Sequence, residues 1–343
     1  GFGLPDDFKL PKQGVEWETP EIQSYQAKFK AIPECNRICD LYYQRNYKQS
    51  IAKWEEVLTL NQVSAIAHKQ IGLNYLYSQE YKTAMKHLKL ANDKADYSQA
   101  FWEVRNIFLQ NNLGIIVLSL LGLIIIVFVL KYLKVKKNIV LLDGVMAKIN
   151  SVKLIQDFKF NMSILKQPYD SFYYIKTNKK GSTLSCFITM FVIFGLFLWN
   201  TLGKGFIFQY VSVDDVDIAA LLAGYFGIIL LVTFCNWLVS SIQDGEGGFL
   251  AIYRMIIVSL IPWAISMLLV CLLSYVATTN EVFLLNLIKW VGIGLSVITF
   301  FLGVQNVHFY SFKKTITSIL LTILLVVVII LVILLMIILK KMI

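Results

Sequence analysis

Asn236, Gln243, Asp244, Glu246, Arg254, Gln305, Asn306, His308 and Tyr310 stand out chemically, because they fall at the ends of long apolar runs. Carboxylates, a guanidinium, an imidazole and amides in one neighbourhood can pair ions, hold an anion or pass a proton. Charges beside a membrane are costly unless paired, so Arg254 is expected to meet Asp244 or Glu246. Tyr169 and Asp170, on the approach to the later runs, are expected to join the group. Two readings stay open: a hydrogen-bonded lock that holds helices in register, or a substrate site. The lock is preferred, since the charges sit at span ends, where basic residues are tolerated. Lys289 differs in lying several residues inside an apolar run, from which its stem can snorkel to the interface.

Catalysis finds little support. There is no nucleophile elbow, phosphate-cradling glycine loop, paired-cysteine metal spacing or His-Glu helix pattern. The chain has three histidines, and His68 and His87 read as exposed or half-buried helix residues, too few for a zinc site. No metal and no cofactor is expected. The net charge of +10 does not point to nucleic acid, because the lysines cluster beside apolar spans, as Lys131, Lys134, Lys136 and Lys137 do. Cys186, Cys235 and Cys271 sit inside apolar runs and read as small buried hydrophobes. Cys35 and Cys39 are four apart in an expected helix, about 5–6 Å between Cβ atoms, wider than the roughly 3.5–4.5 Å of a disulfide. They read as core residues, with a distorted bridge as the alternative.

The elements that position these groups are membrane helices. Hydrophobic residues make up 57% of the 343, mean hydropathy is +0.63 and only 16% are charged, against roughly 25% in soluble domains. The excess begins near Gly114, while residues 1–111 read as ordinary polar protein. Six stretches reach the span length of about 20 residues: 113–132, 183–202, 218–239, 255–275, 282–303 and 316–339. Lysines follow the first span, and only Arg105 precedes it. The positive-inside rule therefore puts residues 1–111 outside and residue 135 onward inside. Asp214, Asp215 and Asp217 fit an outer loop; Arg254, Lys313 and Lys314 fit inner ones. Six crossings return the carboxyl terminus to the outside, where Lys340 and Lys341 run against the rule.

Ahead of the spans, the chain repeats with a period of 34: Tyr43 with Tyr77, Tyr47 with Tyr81, Ser50 with Ala84, Trp54 with Leu88. That is the period of a helix-turn-helix repeat, and Ile71, Gly72, Tyr75, Ala84, Leu88 and Ala91 resemble the tetratricopeptide family. The repeat runs from about Pro33 to Lys94, with residues 97–111 as a capping helix. It serves either as a seat for a protein partner or as a rigid spacer. Residues 1–32 read as an extended linker; with Gly1 first and no signal sequence, either a removed leader or an upstream segment is expected. Between the first two spans, residues 135–181 hold apolar positions Val145, Met146, Ile149, Val152, Ile155 and Phe158, bordered by Lys148, Lys153 and Lys159. Spacings of three and four put the apolar set on one helix face, suited to an anionic lipid interface or to packing on the bundle.

Further residues carry a second resemblance: Gln167-Pro168-Tyr169-Asp170 before the later spans, Asn236-Trp237, Asp244-Gly245-Glu246-Gly247, Tyr253-Arg254, Pro262, and His308 with Tyr310, Ser311 and Lys313-Lys314-Thr315. From Gln167 to the end, the chain resembles the bacterial branch of the Yip family of Ypt/Rab-interacting membrane proteins. The resemblance implies a five-helix bundle with a cytoplasmic approach, and it allows an outer propeller upstream.

The fold expected is thus an all-α membrane protein: an extended linker (1–32), an extracytoplasmic tetratricopeptide-like repeat (33–111), a first span (112–134), a cytoplasmic amphipathic segment (135–181) and a five-span Yip-type bundle (182–343). Lys-, Asn- and Ile-rich composition suits the plasma membrane of a Gram-positive bacterium. The function expected is a non-catalytic accessory subunit whose repeat binds a protein, whose lysines meet anionic lipid and whose bundle docks on an ABC-type importer, such as one for carbohydrate. That partner rests on family analogy. A channel or transporter is the alternative, and an intramembrane enzyme ranks last.

Overall fold

The computed structural model describes residues 41–137, 151–177 and 181–342. The linker 1–32, Cys35, Cys39, Val145, Met146, Lys148 and Ile149 lie outside the described residues. Contacts divide the chain into two units, with the boundary between Leu109 and Gln110.

In the first unit, α1 (Tyr47–Leu60), α2 (Ala65–Tyr77) and α3 (Tyr81–Leu90) precede the start of α4 (Lys94–Lys137). The 34-residue period shows in the helix boundaries, since α1 starts at Tyr47 and α3 at Tyr81. Trp54 and Leu88, equivalent in the repeat, are both fully buried, as are Ser50 and Ala84. Trp54 packs with Ile51, Ala67 and Ile71, and Leu88 packs with Leu76, Ala84 and Ala100. A Cβ on Gly72 would come 2.6 Å from Leu88 Cγ, so this glycine sets how closely α2 and α3 approach. The expected capping helix (97–111) does not end before the apolar stretch; α4 continues without interruption to Lys137.

His68 and His87 face each other across α2 and α3, with Nδ1 atoms 3.1 Å apart, and His68 Nε2 lies 3.1 Å from the Gln62 carbonyl. A carbonyl only accepts, so His68 carries its proton on Nε2 and His87 donates from Nδ1 to His68. Burial first, and then the facing His68, push the pKa of His87 below its ordinary value. The folded state therefore favours neutral His87. Stability from this pair is present above the ordinary histidine pKa of about 6.5 and is lost as pH falls below it. Hydrogen exchange of the full chain, corrected for intrinsic rates, should show weaker protection over residues 65–90 at pH 5 than at pH 7. His87→Phe should flatten that dependence, and an unchanged difference in this variant would remove the pair as its source.

In the second unit, α5 (Lys153–Met162) and α6 (Pro168–Lys176) precede α7 (Thr183–Leu202), α8 (Ile218–Ile242), α9 (Phe249–Ser259), α10 (Ile261–Ser274), α11 (Val282–His308) and α12 (Phe312–Met342). Among the described residues, six helical segments are long and apolar enough to cross a membrane, counting α9 and α10 as one and including α4. No strand occurs among the described residues. The spans differ greatly in burial. The α9–α10 segment has 61% of its most apolar window buried, against 6% for α12 and 0% for α4. Every residue from Ala251 to Ser259 is buried, as expected for a helix apolar on all sides that other helices surround.

The fourth span begins earlier than its hydropathy suggests and is broken at Leu260. Pro262 is the cause, because its ring cannot continue the helix. The backbone groups freed there find side chains on α11: Trp263 N–H donates to Ser296 Oγ at 2.9 Å, and Thr299 Oγ1 donates to the Ser259 carbonyl at 3.1 Å. In hydrocarbon such repair is obligatory.

Small residues bring helices together at only some of their positions. A Cβ on Gly292 would fall 2.1 Å from Ser266 Oγ, and one on Gly303 2.6 Å from Met255 Cγ, so α11 meets α9 and α10 closely. Gly195, Gly224, Gly227 and Gly294 have open space around them. Glycine inside an apolar span marks a possible approach, and the fold selects which are used.

Candidate functional site

The candidate site is the end of the bundle where α8, α11 and α12 meet, and its centre is His308, 1% exposed. Gly247 N–H lies 3.3 Å from His308 Nδ1 and can only donate, so that nitrogen is the acceptor. His308 Nε2 must then carry the proton, which it gives to Asn236 Oδ1 at 3.1 Å. Asn236 Nδ2 donates to Thr322 Oγ1 at 3.2 Å, and Thr322 donates to the Ser318 carbonyl at 2.8 Å. The relay joins the loop after α8 to α11, α8 and α12, with every donor and acceptor direction determined. Both ring nitrogens are committed, so the imidazole is not placed to act as a base on a bound substrate.

The loop that supplies Gly247 has to turn tightly. α8 ends at Ile242, Asp244 takes a left-handed φ of 52°, and Gly245 N–H returns to the Ser240 carbonyl at 2.7 Å. A Cβ on Gly245 would come 2.4 Å from the Tyr310 hydroxyl, and one on Gly247 2.7 Å from His308 Cε1. Only glycine allows this backbone to lie against the ring. Tyr310 stacks on His308 at 5.1 Å between centroids. α11 closes on Phe309 at φ 54°, which lets Tyr310 N–H reach the Gln305 carbonyl at 3.0 Å.

The remaining polar residues are distributed differently from the sequence-based expectation. Glu246 pairs with Lys176 of α6 at 2.7 Å, not with Arg254, and the Lys176 ammonium also sits 3.2 Å over the Phe309 ring. Arg254, nearly buried, reaches the Gly181 carbonyl at 3.3 Å and the Leu250 carbonyl at 3.2 Å. Its place on the central helix α9 aims it at the α6–α7 connection. Asp244 is exposed beside Tyr310, and Asn306 is committed to the Leu302 carbonyl at 2.7 Å. Asp170 lines a cavity of about 530 Å³ between α5 and α6, together with Lys153, Lys159 and Tyr174. Tyr169 is exposed on α6.

Helix α5 packs on α7, where buried Asn161 donates to Ser185 and Thr189, both at 3.3 Å, while Lys153 and Lys159 remain exposed. The backbone of Lys134, Lys136 and Lys137 continues α4; their side chains lie outside the described ones.

Sequence reasoning missed Thr322, Lys176 and Ser240. Spacing could have found the first and last. Thr233, Asn236 and Ser240 recur at three and four on α8, and Thr315, Ser318 and Thr322 do so on α12; all six are buried. Two polar stripes of that period inside apolar spans face each other.

Among the described residues, no group of three or more His, Cys, Asp or Glu side chains is arranged to hold a metal. The family model for the Yip1 domain matches residues 162–336, just over half the chain. The chain belongs to the Yip1 domain family. The matched segment takes in the whole His308 relay, the Lys176–Glu246 pair and five of the six spans, so the Yip1 domain here is the bundle itself together with its α6 approach. No curated protein and no solved structure matches the chain.

Proposed function

We propose that this Yip1-domain protein is a non-catalytic scaffold of a bacterial plasma membrane, most simply Gram-positive, that docks on a larger membrane complex. The observation that carries this reading is the uneven burial of the spans: most residues of α12 and of the apolar part of α4 are exposed while the central helix is enclosed. Such helices face lipid or other proteins. The polar groups support the same reading, because the buried relay satisfies itself, and the mid-span hydroxyls of Ser296 and Thr299 serve the backbone around Pro262. A conducting path needs polar lining at several depths.

An exposed aromatic surface at the His308 end, with Tyr169, Tyr173, Phe309 and Phe312, is the docking face proposed. The partner proposed is an ABC-type importer, such as one for carbohydrate, and this choice rests on family analogy alone. The outer helices are read as a tetratricopeptide-like module that binds a protein, and Lys134, Lys136, Lys137, Lys148, Lys153 and Lys159 as the contact with anionic lipid. Native membranes solubilised in mild detergent should yield a stoichiometric complex with importer subunits, and Tyr169→Ser with Phe312→Ser should weaken it at least several-fold. Saturable solute flux through liposomes containing this chain alone would establish the transporter reading instead.

The orientation proposed puts the repeat outside, from the lysines that follow the first span. With Cys35 and Cys39 replaced by serine, an impermeant thiol reagent on intact cells should label Gln79→Cys and spare Lys137→Cys. Labelling of the second position alone would invert the topology.

A further inference from the structure

At the end of the bundle away from His308, α7 ends at Leu202 and α11 begins at Val282. Between them lies a cavity of about 380 Å³ to which Lys204 and Lys289 both contribute, together with Asn286 and Tyr210. Two ammonium groups on one cavity repel each other unless an anion lies between them. Among the described residues, neither lysine has a carboxylate within salt-bridge reach. Burial, and then the neighbouring Lys289, lower the pKa of Lys204. Asn200 donates one of its two amide hydrogens to the Met267 carbonyl at 3.1 Å.

Most of the remaining wall is apolar, with Phe197, Trp263 and Met267 in it, and Ser266 Oγ donates to the Trp263 carbonyl at 2.7 Å. Trp263 is also a wall of a second cavity of about 540 Å³, open at the side of the bundle and lined by Ile229, Ile256, Ile293 and Phe300. Basic groups at a span end, followed by apolar space along the spans, fit an amphiphile with an anionic head. A free anion would use the lysines and leave the apolar space without a role.

We propose that Lys204 and Lys289 bind the phosphate of one anionic phospholipid, whose acyl chain passes Trp263 into the apolar groove. The phosphodiester offsets the repulsion between the ammonium groups and makes charge-assisted hydrogen bonds with both. Desolvation favours the lipid further, since the phosphate stays at interface depth while its chain remains in hydrocarbon. The site is independent of the docking face at the His308 end.

The test uses the full chain, delipidated in neutral detergent and titrated with phosphatidylglycerol or phosphatidylcholine, with bound lipid counted by native mass spectrometry. One phosphatidylglycerol should be retained at concentrations where phosphatidylcholine is not. The double variant Lys204→Gln, Lys289→Gln should weaken retention about tenfold or more, and the double arginine variant should keep it. Where the double glutamine variant fails to fold, Lys289→Gln alone, at an exposed position, should weaken retention several-fold. Equal retention of the two lipids, or unchanged retention in the glutamine variants, would overturn the proposal. Displacement of the lipid by millimolar inorganic phosphate would show a free-anion site and overturn it equally.

Discussion

His308→Ala should lower the apparent melting temperature of the detergent-solubilised protein by about 10 °C, the largest effect expected from a single change in the bundle. The alanine leaves Gly247 N–H and Asn236 Oδ1 without their partner, each buried and each costing about 1–3 kcal/mol. It also opens a cavity where one of the largest fully buried side chains stood. Combining His308→Leu with Asn236→Leu should cost less than the sum of the two single changes, because removing both partners leaves fewer groups unsatisfied. Gly247→Val should fail in the same way through steric contact with the ring. Glu246→Gln, by contrast, should cost about 1 kcal/mol or less, since its carboxylate is 62% exposed. A His308→Ala protein that melts with the parent would remove the relay as the device that holds α8, α11 and α12 together.

Trp54→Ala should unfold the repeat unit, at a cost of about 3–5 kcal/mol. That is a large share of the 5–15 kcal/mol typical of a whole domain. The indole is 1% exposed, and its Nε1 has no hydrogen-bond partner, so its contribution is packing against Ile51, Ala67 and Ile71. Trp54→Phe should therefore retain most of the stability, because it keeps the apolar ring and loses only a group that bonds to nothing. Limited proteolysis of the full chain provides the check. Cleavage between Tyr47 and Leu90 should accelerate for alanine and stay near parental for phenylalanine. Equal resistance in both would mean that Trp54 is not the centre of this unit.

Apolar spans and the 34-residue period were legible in the sequence because each depends on a property local to the chain. A run of some 20 apolar residues declares a membrane helix wherever it occurs, and all six apolar runs reappear as helices of spanning length. The 34-residue period placed Trp54 and Leu88 as equivalents before any coordinates, since equivalent helix positions require equivalent side-chain sizes. Asn236 and His308 lie near the ends of apolar runs, and Glu246 in the loop that follows one.

Partner choice was decided by tertiary structure. Arg254 was expected to meet an acid, yet it reaches the Gly181 carbonyl, and Glu246 goes to Lys176. Both results depend on where α6 lies against α9 and α11, which no local pattern encodes. The same holds for the glycines: Gly292 and Gly303 are used for close packing, while Gly195 and Gly224 are not, although their sequence settings look alike. Lys204 and Lys289, 85 positions apart, share a cavity only because the end of α7 folds beside the start of α11. Hydropathy and period act along one helix at a time, so the chain alone determined which helices form and which are long and apolar enough to cross a membrane. Hydrogen bonds and ion pairs act over about 3 Å between helices distant in sequence. Only the packed bundle could decide which of the available polar groups would meet.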